Sequence, residues 1–263
     1  MFYDMHTHSN FSTDSDMTMT EAAKQAFDMG LTGIAFTDHL DVDYINYPDG
    51  FYYDYNEYFD HINDVIECFY GKVDIIKATE VGLQPHVIDE TIHRTNGFDF
   101  DFKIGSTHLI NRKDPYAKQF FTDGVSKHDS YIEYLEEIIK NIKLYNDYDA
   151  LGHIDYVVRY APFEDSVMYY NEFYEYFDEI LKFIIKKDIA FEINTGTYKS
   201  VDLDVNLLKR YKELGGELVT MGSDAHSIAN IGCVFDKYGE IIKSCGFDNL
   251  YYYKKRKPFG YKI

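Results

Sequence analysis

Six of the ten histidines stand at, or just beyond, the end of a short apolar run: His6, His8, His39, His108, His153 and His226. Two are paired as His6-Thr7-His8, and Asp224-Ala225-His226 repeats that spacing with a carboxylate in place of one imidazole. Alternate residues of an extended chain face the same side, so both members of each pair can reach one point. Another apolar run ends in Thr79-Glu80. Imidazole nitrogens mixed with carboxylate oxygens, without thiolates, suit borderline divalent ions such as zinc, iron or manganese. A carboxylate such as Glu80 can bridge two ions, so the pattern points to a multinuclear metal site. His61, His86, His93 and His128 fall in helical or loop segments and read as packing or surface residues.

These side chains can meet only if the elements carrying them bring strand ends together. Strand-type runs occupy Phe2–His8, Gly33–Thr37, Val73–Thr79, Phe100–Ser106, Ala150–His153, Ile189–Asn194 and Leu218–Met221. Helical periodicity fills Thr18–Met29, Glu57–Tyr70, Ser130–Leu144, Tyr169–Lys186 and Tyr238–Cys245, and a last extended run covers Asn249–Tyr253. In the first helix Thr18 and Glu21 have capping-box spacing, Ala22, Ala26 and Met29 share a face, and Gly30 is the stop. Short apolar strands alternating with helices indicate a parallel sheet covered by helices. Seven βα units suit a closed barrel, whose C-terminal strand ends share one rim where active sites form. No linker-like stretch or composition shift divides the chain, so one domain over residues 1–263 is expected. Leu40–Tyr58, dense in Asp and Tyr, reads as an insertion over one barrel end.

Composition limits the alternatives. With 45% hydrophobic and 27% charged residues in 263, the chain can bury a large core, and wholesale disorder is excluded. Cys68, Cys233 and Cys245 form no C-x-x-C pair, which excludes a disulfide scaffold and a zinc ribbon. The start, Met1-Phe2-Tyr3-Asp4-Met5, has no basic leader pattern, and no run nears eighteen apolar residues, so a cytoplasmic location is expected. Lys plus Arg is 26 against 45 Asp plus Glu, a net charge of −19, which argues against binding to nucleic acid or an anionic membrane. The Lys254-Lys255-Arg256-Lys257 run reads as a solvated basic tail. A phosphorylated substrate would be repelled unless local cations reversed the field.

The ordered series resembles the polymerase and histidinol phosphatase (PHP) family. It comprises His6-x-His8, Asp14, Thr37-Asp38-His39, Glu80, Gly105-Ser-Thr-His108, Gly152-His153 and Gly222-Ser-Asp224-Ala-His226. The resemblance implies a distorted (β/α)7 barrel and a trinuclear centre of divalent ions (zinc, iron or manganese). It implies His6, His8, Glu80 and Asp224 around the first ion, and Glu80, His108 and His153 around the second. Asp14, His39 and His226 would hold the third; some members have histidine where Asp14 stands, and Asp16 is an alternative ligand. Thr-Asp-His-Leu at 37–40, the run at 152–160 and Arg-Lys-Pro at 256–258 are similar to the histidinol-phosphatase branch. The Thr-Gly-Thr-Tyr-Lys after Asn194 departs from it.

The implied activity is hydrolysis of L-histidinol phosphate to L-histidinol and phosphate, a step of histidine biosynthesis. Clustered divalent ions lower the pKa of a bridging water, bind phosphoryl oxygens and restrain in-line geometry, so a metal-bridging hydroxide is the expected nucleophile. Arg159 could fork onto the phosphate, with Arg112 and Lys199 as further substrate-binding candidates. Asp224 or His226 could protonate the leaving alkoxide. Asp155, Glu164 and the Tyr-rich 44–58 stretch could meet the amine and imidazole of a small-molecule substrate. The rival readings are a phosphoesterase for a sugar phosphate or nucleotide, and a non-catalytic metal-bound scaffold.

Overall fold

Parallel strands follow one another around the barrel in the order of the chain. The computed structural model describes residues 2–45, 47, 51–199 and 201–263. Strands β1 (Tyr3–Thr7), β2 (Gly33–Phe36), β3 (His39–Asp41), β4 (Asp74–Gly82), β5 (Phe102–Ser106), β6 (Ala150–Leu151), β7 (Ala190–Asn194) and β8 (Val219–Gly222) form it. Their order is β1-β2-β4-β5-β6-β7-β8, and β3 continues the line of β2 against the upper half of β4. The ring is nearly closed just beyond β8: Thr7 pairs in parallel with Ala225, and Asp224 N–H donates to the His6 carbonyl at 2.7 Å. This is the expected distorted (β/α)7 architecture, with β2 and β3 sharing one strand position.

Helices α1 (Met19–Asp28), α2 (Tyr55–Cys68), α3 (Ile88–Thr95), α4 (Lys127–Leu144), α5 (Tyr174–Lys186), α6 (Val205–Glu213) and α7 (Phe235–Ser244) cover the outside. The Thr18–Glu21 capping box forms as expected, and Ala22 and Ala26 are fully buried. Met29 is instead 47% exposed, because it caps the helix rather than lying on its inner face. The helix expected from Tyr169 begins at Tyr174, after a short 3-10 turn over Tyr170–Glu172. Helices α3 and α6 lack the long apolar repeat that betrays the others. The 40–58 segment is not wholly an insertion: it opens with β3 and closes in the first turns of α2, with Phe51 bridged to Asp41. Residues 46 and 48–50 of it lie outside the described residues.

The inner faces of the strands change character along their length. Ile76 and Ala78 precede Glu80, Phe102 and Ile104 precede Ser106, and Ala190 precedes Glu192 and Asn194. Each series is spaced by two, so one face is apolar at the start and polar at the end. The apolar half forms an inner cluster with Tyr3, Met5 and Ala35. On β1 the pairing with β2 shifts register between Asp4 and Thr7. Met5 therefore joins this cluster while the next residue, His6, reaches the polar rim. The bottom is plugged by an antiparallel hairpin of β9 (Asn249–Lys254) and β10 (Lys257–Lys262), with Tyr253 inserted into the inner cluster. The basic run at 254–257 is thus a hairpin turn rather than a free tail, and its Arg256 is held by Asp149 at 2.5 Å.

Candidate metal centre

Glu80, fully buried at the inner face of β4, is the hub. Its Oε1 lies 3.1 Å from His108 Nε2 and 2.9 Å from His153 Nε2, and it accepts from Ser106 Oγ at 2.6 Å. Its Oε2 lies 3.3 Å from His6 Nε2, 3.5 Å from His8 Nε2 and 3.1 Å from His39 Nδ1. Asp224 Oδ1 stands 3.2 Å from His8 Nε2 and 3.6 Å from His6 Nε2. Asp14 Oδ2 stands 3.2 Å from His226 Nε2 and 3.7 Å from His39 Nε2, at the more open edge. All nine residues singled out in the sequence therefore form one contiguous cluster. Asp16 is exposed and outside it.

Hydrogen bonding alone does not account for this arrangement. Glu80 Oε2 is buried without a hydrogen-bond donor, and His6 Nε2 and His8 Nε2 face each other at 3.1 Å. Although burial favours its neutral acid, His6, His108 and His39 hold the Glu80 carboxyl well below the usual carboxylate range. Burial, then repulsion from His226 and His39, pushes His8 down to about 3, leaving a neutral ring with a lone pair. Outer partners orient other rings: His6 Nδ1 meets Glu192 Oε1 at 2.6 Å, and His108 Nδ1 meets Asp41 Oδ1 at 2.8 Å. A carboxylate only accepts, so each of these Nδ1 atoms carries a proton, and once the ring is neutral its Nε2 is free to ligate. Converging imidazole lone pairs around buried carboxylates fit divalent metal ions. Donor atoms of His6, His8 and Glu80, of His39, Glu80 and His108, and of His8, His39 and His226 lie within 4.8 Å of one another.

Asp224 reaches the cluster from a backbone in the left-handed region, φ 52°, uncommon for a residue with a Cβ. Asp4 anchors it by accepting from Ser223 N–H at 2.8 Å and Ser223 Oγ at 2.6 Å. Gly222 is required just before: a Cβ there would stand 2.3 Å from that of His6. Arg159 joins the cluster from the turn after β6. It donates to Asp224 Oδ2 and Thr197 Oγ1, both at 2.7 Å, and to Asn194 Oδ1 at 2.8 Å, with Tyr156 beneath its guanidinium.

Above the cluster lies a cavity of about 510 Å³. Tyr44, Phe51, Tyr116, Tyr156 and Tyr160 line it, together with Asp114 and Arg159. Arg112 does not reach it. Asn111 and Arg112 form a tight left-handed turn, and the Arg112 side chain, half exposed, pairs with Asp43 at 3.0 Å. Lys199 is exposed and also outside the lining. Asp155, packed beside Tyr198, and the exposed Glu164 are absent from it too. Glu192, Asp41, Asn194 and Asp114 went unread in the sequence. The spacing Ala190-x-Glu192-x-Asn194, polar on the inner face between apolar Phe191 and Ile193, carried a usable signal for two of them.

Comparison with known proteins agrees with this geometry. The family model described as the PHP domain matches residues 4–196. The probable histidinol-phosphatase of Clostridium acetobutylicum is 34% identical over 265 residues, covering 99% of this chain and 100% of that protein. The histidinol-phosphatase of Lactococcus lactis is 32% identical over 94% of this chain and 92% of its own length. A crystal structure of the Lactococcus lactis histidinol phosphate phosphatase, complexed with zinc, L-histidinol and phosphate, superposes with a TM-score of 0.92. It is 30% identical and covers 98% of both chains.

Proposed function

The chain belongs to the PHP family, and from that premise we propose that it is a metal-dependent histidinol-phosphatase, hydrolysing L-histidinol phosphate to L-histidinol and phosphate. The observation that carries the reading is one cavity floored by seven of the nine cluster residues, with His6 and His8 buried in the same cluster, and walled in part by Arg159 and a set of tyrosines. Three divalent ions are assigned to the cluster: the first held by His6, His8, Glu80 and Asp224, the second by Glu80, His108 and His153, the third by Asp14, His39 and His226. When bound, such ions activate water and neutralise charge on the phosphoryl oxygens.

The chain's own residues supply the rest. Arg159 offers a planar fork to the phosphoryl group, and its bonds to Asn194, Thr197 and Asp224 hold that fork at the cavity wall. Protonation of the leaving alkoxide is assigned to Asp224 or His226, of which His226 carries a proton on Nδ1 against the Asp224 carbonyl at 3.0 Å. Aromatic faces and the Asp114 carboxylate suit the amine and imidazole at the far end of the substrate. The barrel and its terminal hairpin are treated as one domain over residues 1–263, because Tyr253 completes the inner core. Among the described residues no helix is long and apolar enough to cross a membrane.

The test is phosphate release from a panel holding histidinol phosphate, sugar phosphates and nucleotides, with metal content measured on the same sample. A clear preference for histidinol phosphate in kcat/KM is expected. Equal values across the panel would leave a general phosphoesterase, and no release by a fully metallated sample would leave a scaffold.

A further inference from the structure

Among the paired imidazoles, His8 has an unusual outer partner. Its Nδ1 lies 3.2 Å from Ser12 Oγ, a hydroxyl that can either donate or accept, so the contact alone leaves open which ring nitrogen carries the proton. The neighbours of Ser12 decide it. Ser12 Oγ lies 2.8 Å from Asp38 Oδ1, and the same oxygen accepts from Ser9 N–H at 2.6 Å, while Ser9 Oγ donates to Asp38 Oδ2 at 2.8 Å. Three donors converge on Asp38, and Ser12 spends its single proton there. Ser12 Oγ also accepts the His39 N–H at 3.1 Å. Toward His8 the hydroxyl therefore shows only a lone pair.

We propose that Ser12, oriented by Asp38, is a positioning residue that holds the proton of His8 on Nδ1 and so keeps the Nε2 lone pair aimed at the metal centre. The same oxygen fixes the backbone of His39, so one hydroxyl sets two neighbouring ligands, one just beyond β1 and one on β3. The Asp38 carbonyl extends the tie to the hub by accepting the Glu80 N–H at 3.2 Å. All three side chains of the wire, His8, Ser12 and Asp38, are at least 98% buried, so bulk water does not compete for these bonds.

The wire has a directional signature. In Asp38→Asn the amide oxygen must still take the Oδ1 place, because Ser9 N–H and Ser12 Oγ–H both point there. The amide NH₂ then faces Ser9 Oγ, which can rotate to accept. Direction is preserved although the charge is lost. Ser12→Ala leaves the His8 Nδ1–H without its acceptor.

Two readouts test this, neither requiring turnover. Long-range nitrogen–proton NMR on the metal-depleted full chain should place the His8 proton on Nδ1 in the wild type; a proton on Nε2 overturns the proposal. Zinc affinity, measured by competition with a chromophoric chelator, should fall by roughly 10–100-fold in Ser12→Ala, the usual scale for removing a ligand's outer partner. Asp38→Asn should stay near wild type. Unchanged affinity in Ser12→Ala, or an equal loss in Asp38→Asn, overturns the directional wire. The proposal rests on the reading of the cluster as a metal site, yet the two fail separately: a wild type that binds no zinc ends that reading, and the tautomer measurement still decides the wire.

Discussion

At the bottom of the barrel Arg256 donates to Asp149 Oδ2 at 2.5 Å and Asp147 Oδ1 at 3.1 Å, and the buried Lys103 Nζ donates to Asp147 Oδ2 at 2.9 Å. Tyr253 stacks obliquely on Phe102 at 5.0 Å, and Tyr3 lies flat on Tyr252 at 4.1 Å. Cations there meet anions, and the rings close the gaps. At the rim, where Glu80 stands on β4, acceptors face acceptors: Glu80 Oε2 has no donor, and two imidazole nitrogens stand 3.1 Å apart. At the lower end these charged groups pair with one another; at the upper end the donors converge on sites that divalent cations would fill. The contrast separates a structure built for stability from one whose unmet coordination is its activity.

Chelating the metal should remove turnover altogether, with zinc restoring it. Glu80→Gln should make that loss permanent, at least ~10²-fold in rate, because one carboxylate serves two ions. Circular dichroism should show the fold intact, and a metallated mutant of near-normal rate would end the hub role. Next in size, Arg159→Ala should lose roughly 3–5 kcal/mol in kcat/KM for every phosphomonoester, and Arg159→Lys should recover little of it. An unaffected Arg159→Ala enzyme would remove the arginine from phosphate binding.

Changes at the closed end should reverse the pattern. Tyr253→Ala empties an inner-core site and should cost about 3–4 kcal/mol of stability, seen as a lower urea midpoint, with kcat/KM at 25 °C within about twofold. A large kinetic effect would mean that the ends are coupled rather than independent. Smallest, Arg256→Ala should cost about 1–2 kcal/mol, because the pair is only partly sheltered from water, and should leave metal affinity unchanged. A shift in zinc affinity would erase the distinction.

The strand ends were legible because period-two alternation and histidine placement are local signals. His6-x-His8 needs only extended backbone to share a face, and Glu80 needs only to follow Ile76 and Ala78 on theirs. Helix α1 was legible from Thr18 and Glu21. Helix α6 was not: its buried Leu207, Leu208 and Tyr211 are too few to stand out among charged neighbours. The split of one strand into β2 and β3 also left no local trace, since it depends on where β4 offers its hydrogen bonds. Arg112 and Lys199 follow the right strands, but left-handed turn geometry at Arg112 and exposure at Lys199 take their side chains elsewhere.

The order of residues by itself determined which side chains share the C-terminal rim, because in a parallel barrel chain direction gives every strand end the same address. It also determined the chemistry of the donors, since imidazole and carboxylate without thiolate suit the same class of ion. Only the tertiary structure decided which acceptor each imidazole meets. Glu192 lies 186 residues from His6, and Asp41 lies 67 from His108. Such pairs arise where strands distant in sequence close a ring, and a hydrogen bond is settled by a few tenths of an ångström that no spacing along the chain records.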